Sequence, residues 1–429
     1  MPNFEIAIVG AGIAGVTLAI ALHYRGINVT IYESARAFGE IGAGVAFGPN
    51  AVQAMRICHE GVEQAFQRVR TRNIWPSKEK VWFDYVDAYG QGEPKIEFTV
   101  SNGMGQSGVH RAIFLEQLVK LLPEGIAKFS KRVSSIEENG ADKKVVIHFT
   151  DGTSAEADAV VGCDGIKSAV RRHVVGEDSP SAWPGYTGKY AYRALVPMSD
   201  AIEAVGKEIA ENAFMHMGPD GHMLTFPVNH GALVNLVAFK TSSEGWDDPL
   251  RMTKPARQED LLRDFAGYKP YIQKLIKLTK PEMDIWAIYD LGDHPVSTFY
   301  KGRVCLLGDA AHATSPHHGA GGGFCIEDSA VLATLLLAAV ETRADKEGKD
   351  IPFESVFAAF DASRRERSQW LVQSSRFIGD CYQWRAEGVD RDFVRMEEEI
   401  NRRVGIVSTF DVMDACEKAK EDLARRLRT

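Results

Sequence analysis

Three glycines and one acid near the start of the chain have the types and spacing to hold a dinucleotide. The short apolar run Ile6 to Val9 is ended by Gly10, and Gly10, Gly12 and Gly15 then spell G-x-G-x-x-G. Apolar residues at helical spacing follow from Val16 to Tyr24, and a second β-rich run, Val29 to Tyr32, stops at Glu33. Gly10 permits a tight turn, Gly12 has no Cβ to block a pyrophosphate, and Gly15 lets a helix sit close on a strand. The helix N-terminus adds free N–H donors and a positive dipole end. Glu33, 18 positions after Gly15, is placed to accept from the unphosphorylated ribose of FAD or NAD. A bare glycine triplet is as readily a surface turn, so the reading rests on strand, glycines, helix, strand and acid occurring in order.

Two further strand ends repeat this logic. Ala159 to Cys163 leads into Asp164-Gly165 and a helix opening at Ser168, a geometry that presents backbone donors to phosphates. Val304 to Leu307 leads into Gly308-Asp309, the glycine-rich Thr314 to Gly323 (TSPHHGAGGG) and a long helix from about Phe324 to Val340. An aspartate there can accept from sugar-like hydroxyls. Between Gly39 and Pro49, glycines at 39, 42, 44 and 48 prevent a helix. With Ile41, Val45 and Phe47 interleaved, they suggest close backbone approach to a flat ligand. His110 and Arg111 open a helical stretch running from Gly105 to Leu122, where the arginine is either a solvated cap or a phosphate partner. Arg193, mid-run in YAYRALV, either faces water or binds an anion. His216 and His222 flank the turn Gly218–Gly221, where a merely solvated side chain is the plain alternative for either.

These groups need a scaffold, and the pattern predicts an α/β fold. A Rossmann-like FAD-binding domain (1–75, 101–182 and 291–380) carries an inserted, mostly antiparallel β-sheet substrate domain (76–100 and 183–290), whose single clear helical patch lies near Leu261 to Phe265. A helical C-terminal segment (381–429) follows. No second G-x-G-x-x-G follows a strand, so one tightly held dinucleotide is expected. A chain of 429 residues, 45% hydrophobic and 25% charged, is long enough for two domains of an ordinary globular protein. A net charge of −8 without a basic, aromatic-interleaved run argues against nucleic acid. The six cysteines show no C-x-x-C pair, so buried thiols are expected rather than a metal or disulfide framework. Ala330 to Val340 is too short to span a bilayer and no secretory signal precedes the first strand. The expectation is a cytoplasmic monomer or homodimer with no membrane partner.

Taken together, Gly10 to Glu33, Asp164-Gly165 to Arg171 and Gly308-Asp309 to Pro316 resemble the class A flavoprotein aromatic hydroxylases, single-component FAD-dependent monooxygenases. The resemblance runs to about residue 375, with the C-terminal tail matching poorly. Phe38 to Val52, Gly105 to Phe114, Gly221 to Val228 and Pro316 to Gly321 are most similar to salicylate hydroxylases. Fungal hydroxylases of phenolic polyketides come next. The resemblance implies bound FAD and transient NADH or NADPH, with dioxygen and a small aromatic substrate as partners. It implies that Glu33 holds the adenosine ribose, Arg111 helps bind the cofactor and Val133 meets the adenine. Asp164 and Gly165 serve the pyrophosphate, Asp309 the ribityl chain, and Pro316, Gly319 and Gly321 the isoalloxazine, with Gly44 and Val45 on the opposing loop. Phe324 departs from the pattern and is expected to reshape the flavin's pyrimidine edge. The electrophilic oxygen such enzymes generate favours a phenolate, so a base near neutral pKa is needed. His317 is the choice and His318 its competitor, with a plain loop histidine the bland alternative. Arg193 is the candidate carboxylate partner, and Met223, Leu224 and Phe226 are expected to wall the substrate pocket.

Overall fold

A computed structural model describes residues 4–39, 44–138, 140, 144–248, 251–344 and 351–428; Ile41 and Gly42 of the expected glycine-rich loop lie outside them. The first apolar run becomes the strand Glu5–Val9 inside a six-stranded sheet. It pairs in parallel with Asn28–Tyr32 on one side and Ala159–Gly162 on the other, and Val304–Leu306 continues in parallel beside Ala159–Gly162. The strands that precede Gly10, Asp164 and Gly308 are therefore neighbours pointing the same way. Their three motifs emerge together at the carboxyl edge of the sheet, where open α/β folds bind ligands.

The helix Ile13–His23 is apolar all round because it is enclosed, with nine of its 11 residues buried. It packs between the sheet and the helix Gly321–Ala344. The apolar stretch Ala330 to Val340 lies inside a 24-residue helix, which contains the long helix expected from about Phe324 to Val340 and extends it at both ends. Gly321–Thr342 is long and apolar enough to cross a membrane by length and composition, yet 78% of its apolar window is buried inside the fold. Four helices cover it: Ile13–His23, Pro49–Cys58, Phe353–Tyr382 and Val412–Arg426.

A second sheet has eight strands in the order Thr253–Arg257, Glu282–Asp290, Gly185–Pro197, Leu233–Thr241, Gly221–Val228, Phe214–Gly218, Val81–Asp87 and Ile96–Ser101. All pairs are antiparallel except Phe214–Gly218 with Val81–Asp87. One face packs on the helices Gln258–Asp264 and Pro270–Lys277 through Leu261, Tyr271, Ile272 and Leu275. The helices Met198–Val205, Lys207–Glu211 and Pro270–Lys277 went unseen in the sequence because segments of five to eight residues are too short to show a helical period.

The stretch from Gly105 is not helical at its start. Ser107–His110 is a strand pairing with Gly44–Ala46 and Thr71–Arg72, and the helix begins at Arg111. Gly105 has φ +76°, and a Cβ there would lie 1.9 Å from the Glu79 carbonyl oxygen, so the chain crosses another backbone before it can coil. The C-terminal helices Phe393–Ser408 and Val412–Arg426 fold back on the rest of the molecule. Beneath them a buried ion network joins the helices Gly321–Ala344 and Phe353–Tyr382. Arg364 meets Glu327 and Asp328, each at 2.7 Å, and Arg367 meets Glu327 at 2.9 Å while also donating to the Ile406 and Val407 carbonyl oxygens at 3.2 and 3.4 Å.

Candidate active site

The three motif-bearing strand ends and the exposed face of the eight-stranded sheet enclose one cavity of about 700 Å³. Its first half is the carboxyl edge of the parallel sheet. Gly10 has φ +102°, and a Cβ on it would stand 2.4 Å from the Cys163 carbonyl oxygen. A Cβ on Gly15 would stand 2.0 Å from the Gly10 carbonyl oxygen. Gly15 thus sets how close helix and strand lie, while Gly10 and Gly12 line the cavity. The Glu33 carboxylate accepts from the Ala11 and Ala35 backbone N–H groups at 2.8 and 2.6 Å, which fixes it on the cavity wall. Arg111, Val133, Gly165 and Asp309 line the same half, with Lys131, Arg132, Lys167 and Arg172 adding basic groups that the motifs did not indicate.

Asp164 borders the cavity, but its carboxylate is occupied. It accepts from Ser168 Oγ at 2.5 Å and from the Ala169 and Val170 N–H groups at 2.6 and 3.1 Å. The helix Ala169–Val175 is therefore capped by the protein itself, and the expectation that its start offers open phosphate donors is corrected. Burial raises the Asp164 pKa above the ordinary carboxylate value against these hydrogen bonds. Behind it, the fully buried Arg171 donates to the carbonyls of Ile166, Ala182 and Ala310 at 2.5, 3.3 and 3.0 Å. One guanidinium thereby ties the loop after Asp164 to the loop after Gly308, and five rigid donors suit that task.

In the second half, the strand partners Arg193, Val237, Leu224 and Met215 run across the sheet in one row on the cavity side. Phe239 and Phe226 flank the row, and Trp82, Phe83 and Tyr382 close the wall. Side chains alternate between the faces of a strand. Leu224 and Phe226 therefore line the cavity as expected, while Met223 faces the other way into the cluster with Leu236, Tyr271 and Leu275. Met223 is thus removed from the pocket. The same alternation separates the two histidines. His216 is buried on the far side, 3.0 Å from both Tyr271 Oη and Thr225 Oγ1, and His222 is buried on the cavity side, so neither is solvated. Arg193 does not face open water either: its guanidinium sits 4.9 Å from the Trp286 ring and lines the cavity. Burial, then nearby Arg111, lowers its pKa.

Facing this row is the loop Thr314 to Gly322, which contributes Pro316, His317, His318, Gly319 and Gly321, while Gly44 and Val45 approach from the strand Gly44–Ala46. His317 packs 4.9 Å from the Phe239 ring and 5.2 Å from the His222 ring, and Tyr382 lies 5.2 Å from His222. Neither ring nitrogen of His317 or His222 has a protein partner. Burial pushes the pKa of His317 down to about 3, with Lys189 and His318 adding to it. His222 is driven well below the usual value by burial, then by His317 and Lys189. Both rings are neutral. Phe324 points away from the cavity, where it stacks under the Arg367 guanidinium at 4.4 Å, so it does not reshape the ligand slot as expected; its neighbour Cys325 lines the cavity instead.

The residues fit a flavin dinucleotide. A glycine cradle that a Cβ would fill opens onto a slot whose other end holds buried polar atoms without partners. Both amide atoms of Gln106 and Nδ2 of Asn235 are among them. Gln106 had no signal in the sequence beyond its place before a glycine-interrupted strand.

Comparison with known proteins agrees with this geometry. Residues 3–351 match the family described as "FAD binding domain". The chain is 44% identical to the FAD-dependent monooxygenase orf3 of Aspergillus niger, over 96% of this chain and 94% of that protein. It is 38% identical to the salicylate hydroxylase asL1 of Sarocladium schorii, over 98% and 91%. Alignments of that extent reach into the C-terminal helices, beyond the family match that ends at residue 351. Among solved structures, a salicylate hydroxylase substrate complex superposes with a TM-score of 0.84 at 31% identity, covering 97% of this chain and 98% of the other. On these grounds the chain belongs to the FAD-dependent monooxygenases of the aromatic-hydroxylase type.

Proposed function

We propose that this enzyme hydroxylates a phenolic aromatic acid with NADH or NADPH and dioxygen, and that salicylate, converted to catechol and carbon dioxide, is its substrate. The observation that carries this reading is the charge pattern of the second half of the cavity. Arg193 is a half-buried cation there, and no carboxylate lines that half among the described residues. An anionic ring substituent would complete it, since a charged hydrogen bond in a dry site is worth about 1.5–3 kcal/mol. Likeness to a salicylate hydroxylase supports the same choice.

Gly10, Gly12, Glu33, Arg111, Val133 and Asp309 would hold the adenosine, phosphate and ribityl parts of FAD. Gly44, Val45, Gln106, Pro316, Gly319 and Gly321 would bound its ring. When bound, that ring supplies hydride acceptance from the nicotinamide and delivery of an electrophilic oxygen derived from dioxygen. The chain's own part is to hold the substrate and move its proton. Arg193 orients the carboxylate, and Leu224, Phe226, Val237 and Phe239 exclude water from the ring. His317 takes the phenolic proton at a ring nitrogen that has no other partner. Its low pKa reflects burial without a counter-ion, and an imidazolium formed beside a phenolate acquires one, so the proton transfer is favoured only when substrate is bound.

The test is to purify the yellow enzyme and follow NADH and NADPH oxidation with salicylate, measuring catechol and carbon dioxide. One catechol and one carbon dioxide per reduced nicotinamide is expected, with H317A losing turnover at unchanged flavin content. A hydroxylated product that retains the carboxylate would replace decarboxylation with simple ring hydroxylation. Absence of any phenol-dependent product would end the reading.

A further inference from the structure

The two adjacent histidines on the loop are held differently. His317 has no partner at either ring nitrogen, whereas His318 Nε2 lies 2.8 Å from Ser374 Oγ on the helix Phe353–Tyr382. Ser374 Oγ in turn accepts from Arg403 Nη1 at 2.8 Å, and Arg403 comes from the C-terminal helix Phe393–Ser408. Arg403 is fixed from two sides: its guanidinium stacks on Phe377 at 4.0 Å and its Nε donates to Glu399 at 3.1 Å. A guanidinium has donors only, so Ser374 must accept from it. The serine keeps one hydrogen to donate, and among the described residues its only other side-chain partner is His318 Nε2. A hydroxyl donating there meets an Nε2 lone pair and leaves the ring proton on Nδ1.

We propose that Arg403 is a positioning residue of the active site: acting through Ser374, it fixes His318 as the Nδ1–H tautomer. The ring then offers the cavity a hydrogen-bond donor rather than a base, and proton abstraction is left to His317. That last division of labour rests on the phenol-hydroxylase reading above, while the tautomer does not. Several groups act on His318. Arg403 reaches it through Ser374 with Glu399 behind, His317 is adjacent in the chain, and the Trp370 ring packs 6.0 Å away on the neighbouring helix. Burial, then Arg403, keeps His318 neutral. Among the described residues no negative group is in contact with the ring to stabilise a second proton. The C-terminal segment thus reaches the reaction loop by one hydrogen-bonded chain of three side chains.

The experiment uses the FAD-loaded full chain, labelled with ¹⁵N-histidine, and reads the two ring nitrogens of His318 by long-range ¹H–¹⁵N correlation, assigned with H318Q. The expected wild-type pattern is a protonated Nδ1 and an unprotonated Nε2. R403K keeps a donor and should keep that pattern, whereas R403M and S374A should shift His318 toward the other tautomer. In the same variants, loss of one oriented donor should raise KM for the phenolic acid about tenfold while kcat falls less. A wild-type His318 protonated on Nε2 overturns the assignment, and so does an R403M enzyme whose His318 tautomer is unchanged. Should R403M fail to fold, the wild-type spectrum and S374A decide. The tautomer pattern without turnover of any phenol would sink the substrate reading and leave the role of Arg403 standing.

Discussion

Gly379 offers a sharp test of where the base stands. It lies in the helix Phe353–Tyr382 against the His317 ring, and a Cβ added to it would be 2.3 Å from Cδ2 and 2.7 Å from Cγ and Nε2 of that ring. Restoring ordinary contact requires the ring to withdraw by about 1 Å. It has little room, because Phe239 and His222 already pack on its other faces. For stability the substitution G379A carries opposing effects: alanine in a helix interior gains about 1 kcal/mol over glycine, and overpacking costs roughly 1–3 kcal/mol. The melting temperature should therefore move only a few degrees. For catalysis a displacement of that size costs on the order of 10²-fold. We expect kcat/KM for salicylate to fall about 100-fold with flavin content preserved. The decisive comparison is a double-mutant cycle with H317A, in which the clash has no target and G379A should become nearly neutral. Equal losses from G379A in the wild-type and H317A backgrounds would falsify the placement of the base at His317.

Three other outcomes are expected. Burial holds His216, His317 and His318 at folded pKa values of about 3 and His222 well below the usual histidine value, all below the unfolded value. The unfolded chain therefore binds more protons below pH about 6.5. Stability should be full above that pH and fall as pH drops toward 3, by about 1.4 kcal/mol per histidine at one unit below; urea midpoints that do not change between pH 7.5 and 5.5 would contradict it. R193M should raise KM for a phenolic acid roughly 10–100-fold while retaining flavin, and steady-state kinetics showing unchanged KM would remove Arg193 from the carboxylate role. R364M removes a buried cation shared by Glu327 and Asp328, leaving Arg367 and His312 as their other partners, which should cost about 3 kcal/mol in denaturant unfolding; a loss under 1 kcal/mol would mean the network does little to hold the two helices together.

What the sequence reveals and what it hides follow from how local each feature is. Gly10, Gly12, Gly15 and Glu33 belong to one strand–helix–strand unit, so spacing alone places them. Gly308-Asp309 sits at a strand end and is legible for the same reason. Asp164 sits at such an end too, yet its carboxylate caps its own helix, because an acid four residues before a serine N-cap reaches that helix's N–H groups as easily as any ligand. Met223 illustrates a different limit: in a run apolar at successive positions the period-2 signal is absent, and only the paired strands decide which side faces the cavity. Arg193 could not be placed because its setting depends on what covers the sheet. Gln106, Ser374, Tyr382 and Arg403 are still less accessible, since each acquires meaning only from partners distant in the chain, as with Ser374 and His318, 56 positions apart.

The electrostatics of the cavity explain why these distant residues matter together. Its cofactor half holds carboxylates fixed by backbone N–H groups and basic side chains at the rim. Its other half has neutral histidines, apolar walls and one cation. A buried charge without a partner is unfavourable by several kcal/mol. On the proposed function, an anionic ring substituent would complete the setting of the half-buried Arg193, and the protonated form of His317 would become tolerable only with a phenolate beside it. Lys189, although paired with Asp380 at 2.6 Å, adds to the lowering of the His317 and His222 pKa values, and Arg403 adds to that of His318, so both help keep the rings neutral. Proton abstraction is in this way tied to substrate occupancy, which is what an enzyme that must withhold a reactive oxygen from water requires.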